Sequence, residues 1–117
     1  MRFKSLKYRG KELTERLAIE RALIDSGNAW LLDCETEDAE LEIFKGRLKW
    51  VSGQFFCGIW MDGEWQKGEW FHGIWMNGRW LDGHWKGGTW TDGIWENGQF
   101  DGGTVIRGIF KNTYREN

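Results

Sequence analysis

A strict five-residue period dominates this chain from residue 50 onward. Every fifth residue is large and apolar, and a glycine follows three residues after each of these positions as far as Gly108. A fixed repeat period usually determines the whole architecture, so it is considered before local propensity. The period-five positions are Trp50, Phe55, Trp60, Trp65, Trp70, Trp75, Trp80, Trp85, Trp90, Trp95, Phe100, Val105 and Phe110.

The residue before each glycine is a turn former in most units. Asp-Gly, Asn-Gly and Gly-Gly pairs favour two-residue type I′ hairpin turns, in which both central residues need positive φ. Such turns would leave strands of three residues, each antiparallel to the next. The turn formers are Asp62, Asn77, Asp82, Gly87, Asp92, Asn97 and Gly102.

The pattern therefore predicts a mainly β protein with one N-terminal helix, in which the repeat forms an elongated, coiled, single-layer antiparallel β-meander. Because two-residue turns fix the register, all the tryptophans would project from one face of this sheet. This structural Trp row consists of Trp60, Trp65, Trp70, Trp75, Trp80, Trp85, Trp90 and Trp95.

The alternative fold is a right-handed quadrilateral β-solenoid of the pentapeptide-repeat type, which also has a large residue every five and a small one two before it. We prefer the meander for two reasons. Four tryptophans per coil would overfill a narrow interior, and Asp and Asn precede the glycines, where a hairpin turn requires them.

The first 28 residues are predicted to form a strand and an amphipathic helix. Residues 11–26 are rich in helix formers, and Gly27-Asn28 is a helix stop signal. A short strand is expected at 3–8. The apolar face of the helix would comprise Leu13, Leu17, Ile19, Leu23 and Ile24.

Residues 29–49 are predicted to form an acidic β-hairpin that leads into the repeat sheet at 50–112, with a tail at 113–117. Lys45-Gly46 is the expected turn. Centring the hairpin there pairs Ile43 with Leu48 and Leu41 with Trp50.

The repeat tryptophans represent roughly 1,800 Å² of side chain, more than a soluble monomer leaves as an open patch. We expect the row to be covered by the helix, by coiling of the sheet, by a second copy of the chain, or by a ligand. On the opposite face, an apolar stripe is the candidate protein interface. It comprises Met61, Phe71, Ile74, Leu81 and Ile94.

The chain has 117 residues and a formal charge of -2, which does not favour a nucleic-acid partner. No stretch is long enough for a membrane span, and no leader segment is evident, so we expect a cytoplasmic protein. Cys34 and Cys57 are predicted to be free thiols, with a disulfide as the alternative.

No catalytic, cofactor-binding or metal-binding residues are predicted, and the chain is not expected to be an enzyme. His72 and His84 have no obvious catalytic partner. The recurring carboxylates Asp62, Asp82 and Asp92 fit turn chemistry better than calcium binding.

The GxW-xx-GxW units resemble MORN repeats, which are Gly- and aromatic-rich antiparallel hairpins. They are also similar to Trp-Gly pentapeptide arrays in proteins of large tailed phages. The resemblance implies a scaffold for protein contacts or self-assembly and, if the chain is phage-encoded, a structural or assembly component or an inhibitor of a host factor in the host cytoplasm. The alternative function is a carbohydrate-binding module that uses exposed Trp side chains.

Overall fold

The structure is a computed structural model that describes residues 2–115, the last three by their backbone alone. It is mainly β with one α-helix, as predicted, and it also has a short 3-10 helix at residues that were predicted to begin the β-hairpin. The α-helix, α1, spans Arg16–Asp25, and the 3-10 helix spans Ala29–Asp33. The predicted helix began too early, because Arg9 and Gly10 adopt positive φ and turn the chain into a second strand.

The N-terminal strands continue into the sheet of the repeat. Strand β1 (Phe3–Tyr8) pairs antiparallel with β2 (Lys11–Leu13) and parallel with β3 (Glu35–Phe44). Strand β3 then pairs antiparallel with β4 (Arg47–Cys57), and Lys45 and Gly46 have the positive φ of the predicted turn. The predicted register is confirmed, since Ile43 lies opposite Leu48 and Leu41 opposite Trp50.

The repeat forms a β-solenoid of about four turns. Each short strand pairs in parallel with the strand fifteen residues further on, as Ile59 does with Ile74. The alternative solenoid fold is thus confirmed, and the preferred antiparallel meander is wrong. The strands are β5 (Ile59–Trp60), β6 (Glu64–Trp65), β7 (Glu69–Trp70), β8 (Ile74–Trp75), β9 (Arg79–Trp80), β10 (His84–Trp85), β11 (Thr89–Trp90), β12 (Ile94–Trp95), β13 (Gly98–Phe100), β14 (Thr104–Val105), β15 (Ile109–Phe110) and β16 (Thr113–Arg115).

The residues predicted to form hairpin turns are the reason why the meander prediction is wrong. A type I′ turn needs positive φ at both central residues, yet within the repeat only the glycines and Asn112 among the described residues have it. In three units the aspartate instead accepts a hydrogen bond from the following glycine N–H, as Asp62 does at 2.8 Å. The Asp-Gly pair therefore makes a corner rather than a hairpin.

Three pentapeptides complete one coil, so the solenoid has three sides rather than four. The first face contains β6, β9, β12 and β15 stacked on the start of β4. The second face contains β7, β10, β13 and β16 stacked on the end of β4. The third face contains β5, β8, β11 and β14.

The corner glycines are required by the spacing between coils. Gly78 has φ 127°, and a Cβ built on it would lie 2.2 Å from the carbonyl oxygen of Gly63 in the preceding coil. Both the backbone angle and the contact exclude a side chain. The first glycine of each Gly-Gly pair differs, because Gly87 and Gly102 lack positive φ and a Cβ on them would have 3.5 and 3.7 Å of clearance.

The tryptophans fill the interior of the triangle. The indoles of the nine repeat tryptophans are fully buried, and all but Trp90, whose equivalent in the next coil is Val105, stack on an equivalent ring there, as Trp65 does on Trp80 at 4.7 Å. This distance is the spacing of neighbouring β-strands, so the backbone ladder sets the ring stacking. Sequential rings such as Trp65 and Trp70 meet edge to face at 71°. The predicted Trp row is therefore replaced by three columns of stacked side chains, and the coiling of the chain itself buries them.

The two ends of the solenoid differ. At the N-terminal end, the 3-10 helix lies over the first coil, with Trp30 edge-on to Trp60 at 5.1 Å. Cys34 occupies the space where a Cβ on Gly58 would lie. At the C-terminal end, the last coil has smaller side chains in place of tryptophan, and Val105 and Phe110 are only partly buried.

Candidate interaction faces

The predicted interface residues do not form one stripe. Met61 and Ile74 lie on the third face, Phe71 flanks the second, and Leu81 and Ile94 belong to the first. The predicted stripe assumed that strand direction alternates, which would place these residues in one row. In a three-sided coil the period is fifteen residues, and it distributes them over different faces.

The second face carries a ladder of polar contacts between coils. Glu69 accepts a hydrogen bond from Gln54 at 3.3 Å and pairs with the Lys86 ammonium at 3.1 Å. One coil further along the same face, His84 contacts the carboxylate of Asp101. The Lys86 ammonium also lies 4.2 Å from the Phe71 ring centroid. The charges of this face are therefore paired largely within it.

The same contacts shift the pKa values of two carboxyl groups on this face. The Lys86 hydrogen bond, followed by the one from Gln54, lowers the pKa of Glu69 below its ordinary value. The hydrogen bond from His84 is the main cause of the lowered pKa of Asp101. Both carboxyl groups are thus held in the charged form.

The first face has a similar ladder. Glu96 pairs with the Arg79 guanidinium at 2.8 Å and with the Lys111 ammonium at 3.6 Å. The Arg79 hydrogen bond is the largest cause of the lowered pKa of Glu96. Three successive coils are therefore linked by one carboxylate between two cations.

The third face differs from both, because none of its outward strand positions is charged. Its large apolar side chains are well exposed: Ile59 at 47%, Met61 at 45%, Ile74 at 38%, Met76 at 37% and Ile106 at 60%. Threonines complete the face, and Thr91 contacts the Met76 sulfur at 3.9 Å. The outward residues are Ile59, Met61, Ile74, Met76, Thr89, Thr91, Thr104 and Ile106.

Three apolar residues of the third face were missed by sequence reasoning, namely Ile59, Met76 and Ile106. A signal for them does exist in the sequence. When positions fifteen residues apart are compared, rather than ten, Ile59, Ile74 and the threonines of the third face fall in one series. The choice between these periods depends on whether each strand reverses direction.

Both cysteines are free, as predicted, and only Cys34 is fully buried. Its Sγ contacts the Ile59 carbonyl oxygen at 3.5 Å, and burial raises the pKa of the thiol to about 11. Cys34 is thus a neutral packing group under the first coil. Cys57 lies half-buried at the corner between the second and third faces.

No group of three or more His, Cys, Asp or Glu side chains among residues 2–115 could hold a metal ion. His84 and Asp101 form a His–carboxylate pair, but they lie on the open second face, each about one-third exposed. The most distinctive surface of the described chain is therefore the third face.

No helix in the described part of the chain is long and apolar enough to cross a membrane. No protein-family model, curated protein or solved structure matches this chain.

Proposed function

We propose that this protein is a non-enzymatic repeat scaffold that binds a protein partner through its third face. The observation that carries the proposal is the contrast between faces. The first and second faces pair charges from coil to coil, as Arg79 and Lys86 do, whereas the third exposes Ile59, Met61 and Ile74 with no charge between them. Depletion of charged residues around exposed apolar side chains is typical of the core of a protein interface.

The size of the face limits what it can do alone. Four strands about 4.8 Å apart make a patch on the order of 200–300 Å². A standard interface buries about 800 Å² on each partner. The third face would therefore form the apolar centre of a larger contact, with the paired charges of the adjoining faces as its polar rim.

The alternative carbohydrate-binding function stays a prediction. It relied on exposed tryptophan rings that stack on sugars. The repeat indoles are fully buried against one another, and Trp30 packs on Trp60. This arrangement favours the scaffold over the sugar-binding hypothesis.

A cytoplasmic location belongs to the same proposal. Free Cys34 and Cys57 suit a reducing compartment. An origin in a large tailed phage, which would place the protein in the host cytoplasm, likewise stays a prediction.

The test is affinity purification from source cells with the wild-type chain and two lysine variants. Met76→Lys places a charge at the centre of the third face, and Gln66→Lys places one on the first face as a matched control. We expect a stoichiometric partner to be retained by the wild type and the control and lost by Met76→Lys. A partner retained equally by all three chains would refute the assignment of the face.

A further inference from the structure

The apolar surface of the third face continues around the corner that joins it to the second face. Two corner residues separate Phe56 from Ile59, and two separate Phe71 from Ile74 one coil further along. Phe56 is 38% exposed, and its ring stacks on that of Phe71 at 4.8 Å. The two phenylalanines therefore extend the apolar surface of the isoleucines onto the edge of the second face.

This extension is confined to the first two coils. In the following two coils, the positions equivalent to the phenylalanines hold Lys86 and Asp101. The third face changes in the same direction, since Thr89 lies in register with Ile74. The continuous apolar area, here named the corner patch, consists of Phe56, Ile59, Met61, Phe71, Ile74 and Met76.

An acidic cavity adjoins the corner patch at the N-terminal end of the solenoid. Its volume is about 420 Å³, and its wall includes Phe56 together with Asp33 and Glu35. Cys34, which lies between the two carboxylates in the chain, contacts the carbonyl oxygen of Ile59 with its Sγ at 3.5 Å. The cavity and the corner patch therefore form one continuous surface.

The two carboxylates of the cavity are accessible to a partner. Both Asp33 and Glu35 are exposed, and neither forms an ion pair with another residue of the described chain. Arg2 also lines the cavity, but its guanidinium donates hydrogen bonds to the backbone carbonyl groups of Leu32 and Cys34. A cation from a partner would therefore find acceptors here.

A third carboxylate lies at the other border of the corner patch. Asp62 is exposed at the corner that follows Met61, and one of its oxygens accepts the N–H of Gly63 at 2.8 Å. Lys86, whose ammonium contacts the Phe71 ring, is paired with Glu69 on the second face. Negative charge thus borders the apolar residues on two sides, and this arrangement is complementary to a basic partner.

The backbone under the patch restricts the shape of that partner. Strand β8 is paired on both sides, with β5 and with β11, so an extended peptide cannot add to it as a further strand. A helix needs only side-chain contacts. Its pitch of about 5.4 Å is close to the spacing of about 4.8 Å between strands, so each turn of a helix along the solenoid axis would meet about one coil.

We propose that the partner of this scaffold presents a basic amphipathic helix. Its apolar face would pack on the corner patch, and its Lys or Arg side chains would pair with Asp33, Glu35 and Asp62. This inference rests on the proposed use of the third face and adds the chemistry of the partner. It also extends the contact onto the two phenylalanines of the second face.

Two labelled peptides of about 14 residues, which is roughly four helical turns, are the probes. Both carry leucine along one helical face, and the remaining positions are lysine in one peptide and glutamate in the other. Fluorescence anisotropy measures their affinity for the full chain. We expect the wild type to bind the Leu/Lys peptide at least about tenfold more tightly than the Leu/Glu peptide. Equal binding of the two would overturn the inference.

Neutral variants test the role of the acidic cavity. The double variant Asp33→Asn, Glu35→Gln should bind the Leu/Lys peptide about tenfold more weakly than the wild type. The double variant Glu12→Gln, Glu15→Gln removes the same charge at exposed positions elsewhere and should bind like the wild type. Equal losses in the two variants would reduce the effect to net charge and overturn the inference.

A pair of phenylalanine variants tests the apolar part of the surface. Phe56→Thr should lose binding of the Leu/Lys peptide, whereas Phe44→Thr, which removes an exposed phenylalanine from β3, should keep it. Circular dichroism checks that both variants are folded, and the neutral variants cover the case in which Phe56→Thr fails to fold. Wild-type affinity in folded Phe56→Thr would contradict the inference.

Met76→Lys separates this inference from the proposed function. If this variant loses the cellular partner while the wild type shows no preference for the Leu/Lys peptide, the inference is overturned and the proposed function stands. A cellular partner retained by Met76→Lys would refute the proposed function, and the inference with it. A wild-type dimer in sedimentation equilibrium that Phe56→Thr dissociates would assign the corner patch to a second copy of the chain and would also overturn the inference.

Discussion

The indole of Trp85 donates a hydrogen bond from Nε1 to the carbonyl oxygen of Gly102, at 2.9 Å, across the corner of the next coil. Trp70 makes the equivalent bond to Gly87 at 3.0 Å. Both acceptors are the first glycine of a Gly-Gly pair. The other repeat indoles have no such acceptor, and the buried Nε1 groups without a partner are those of Trp50, Trp60, Trp65, Trp75, Trp80, Trp90 and Trp95.

Because of this difference, we expect substitution by phenylalanine to cost different amounts of stability at different tryptophans of the columns. Trp65→Phe removes a buried N–H that lacks a partner, which offsets part of the lost ring packing. Trp85→Phe loses the same packing and leaves the Gly102 carbonyl unpaired. An unpaired buried N–H costs about 1–3 kcal/mol, and only Trp65→Phe relieves that cost, so Trp85→Phe should be the more destabilising by about that amount.

Denaturant unfolding of both variants, followed by far-UV circular dichroism, measures the two free energies. Equal losses would show that the Gly102 hydrogen bond contributes nothing to stability. A larger loss for Trp65→Phe would contradict the role assigned to the unpaired N–H.

The corner glycines predict a second contrast. Gly78→Ala forces a Cβ to 2.2 Å from the Gly63 carbonyl oxygen at φ 127°, so the coils must separate locally. Gly87→Ala meets no such contact at its 3.5 Å clearance and has an ordinary φ. We expect Gly78→Ala to lose several kcal/mol or fail to fold, and Gly87→Ala to change stability by less than about 1 kcal/mol.

Thermal unfolding of the two alanine variants distinguishes the outcomes. Comparable melting temperatures would mean that the Gly78 corner can relax, and the close approach of the coils would then not explain the recurrence of glycine.

The carboxylate ladders predict acid lability. The pKa values of Glu69, Glu96 and Asp101 are lowered in the folded state, chiefly by their hydrogen bonds with Lys86, Arg79 and His84 respectively. A lowered pKa contributes stability that is fully present above the unfolded value, near 4.5 for Glu, and is lost as pH falls through the folded value. Stability should therefore be level near neutral pH and fall below about pH 4.5.

The double variant Glu69→Gln, Glu96→Gln is the control for this effect, because it removes two of the titrating groups. Its stability between pH 6 and pH 3 should fall less steeply than that of the wild type. Parallel curves would assign the acid sensitivity to other groups.

The two thiols should differ in reactivity. Cys34 is buried and its pKa is raised to about 11, so it is protonated at pH 8 and inaccessible. Cys57 is half-buried at a corner and should be alkylated first. Mass spectrometry after iodoacetamide treatment of the folded chain should show modification at Cys57 and, at Cys34, only after denaturation. Rapid labelling of Cys34 in the folded chain would mean that the N-terminal cap opens readily.

Much of the N-terminal region could be predicted from local signals. Positive φ at Lys45 and Gly46 fixes the hairpin turn, and the hydrophobic alternation fixes the register of Ile43 with Leu48. The helix start was less predictable. Residues 11–13 are good helix formers, but pairing with β1 overrides their propensity.

In the repeat, the sequence alone determined that an aromatic residue points inward every five residues and that a glycine stands at each bend. Tertiary structure decided how those bends are used. Asp62-Gly63 is compatible with a hairpin and with a corner, and the two differ in whether Asp62 adopts positive φ. The choice depends on contacts fifteen residues apart, where Gly63 packs on the Leu48 carbonyl at a distance that no side chain fits. The same packing of coil on coil places Ile59 and Ile74 on one uncharged face. They become neighbours only because three strands close into a triangle.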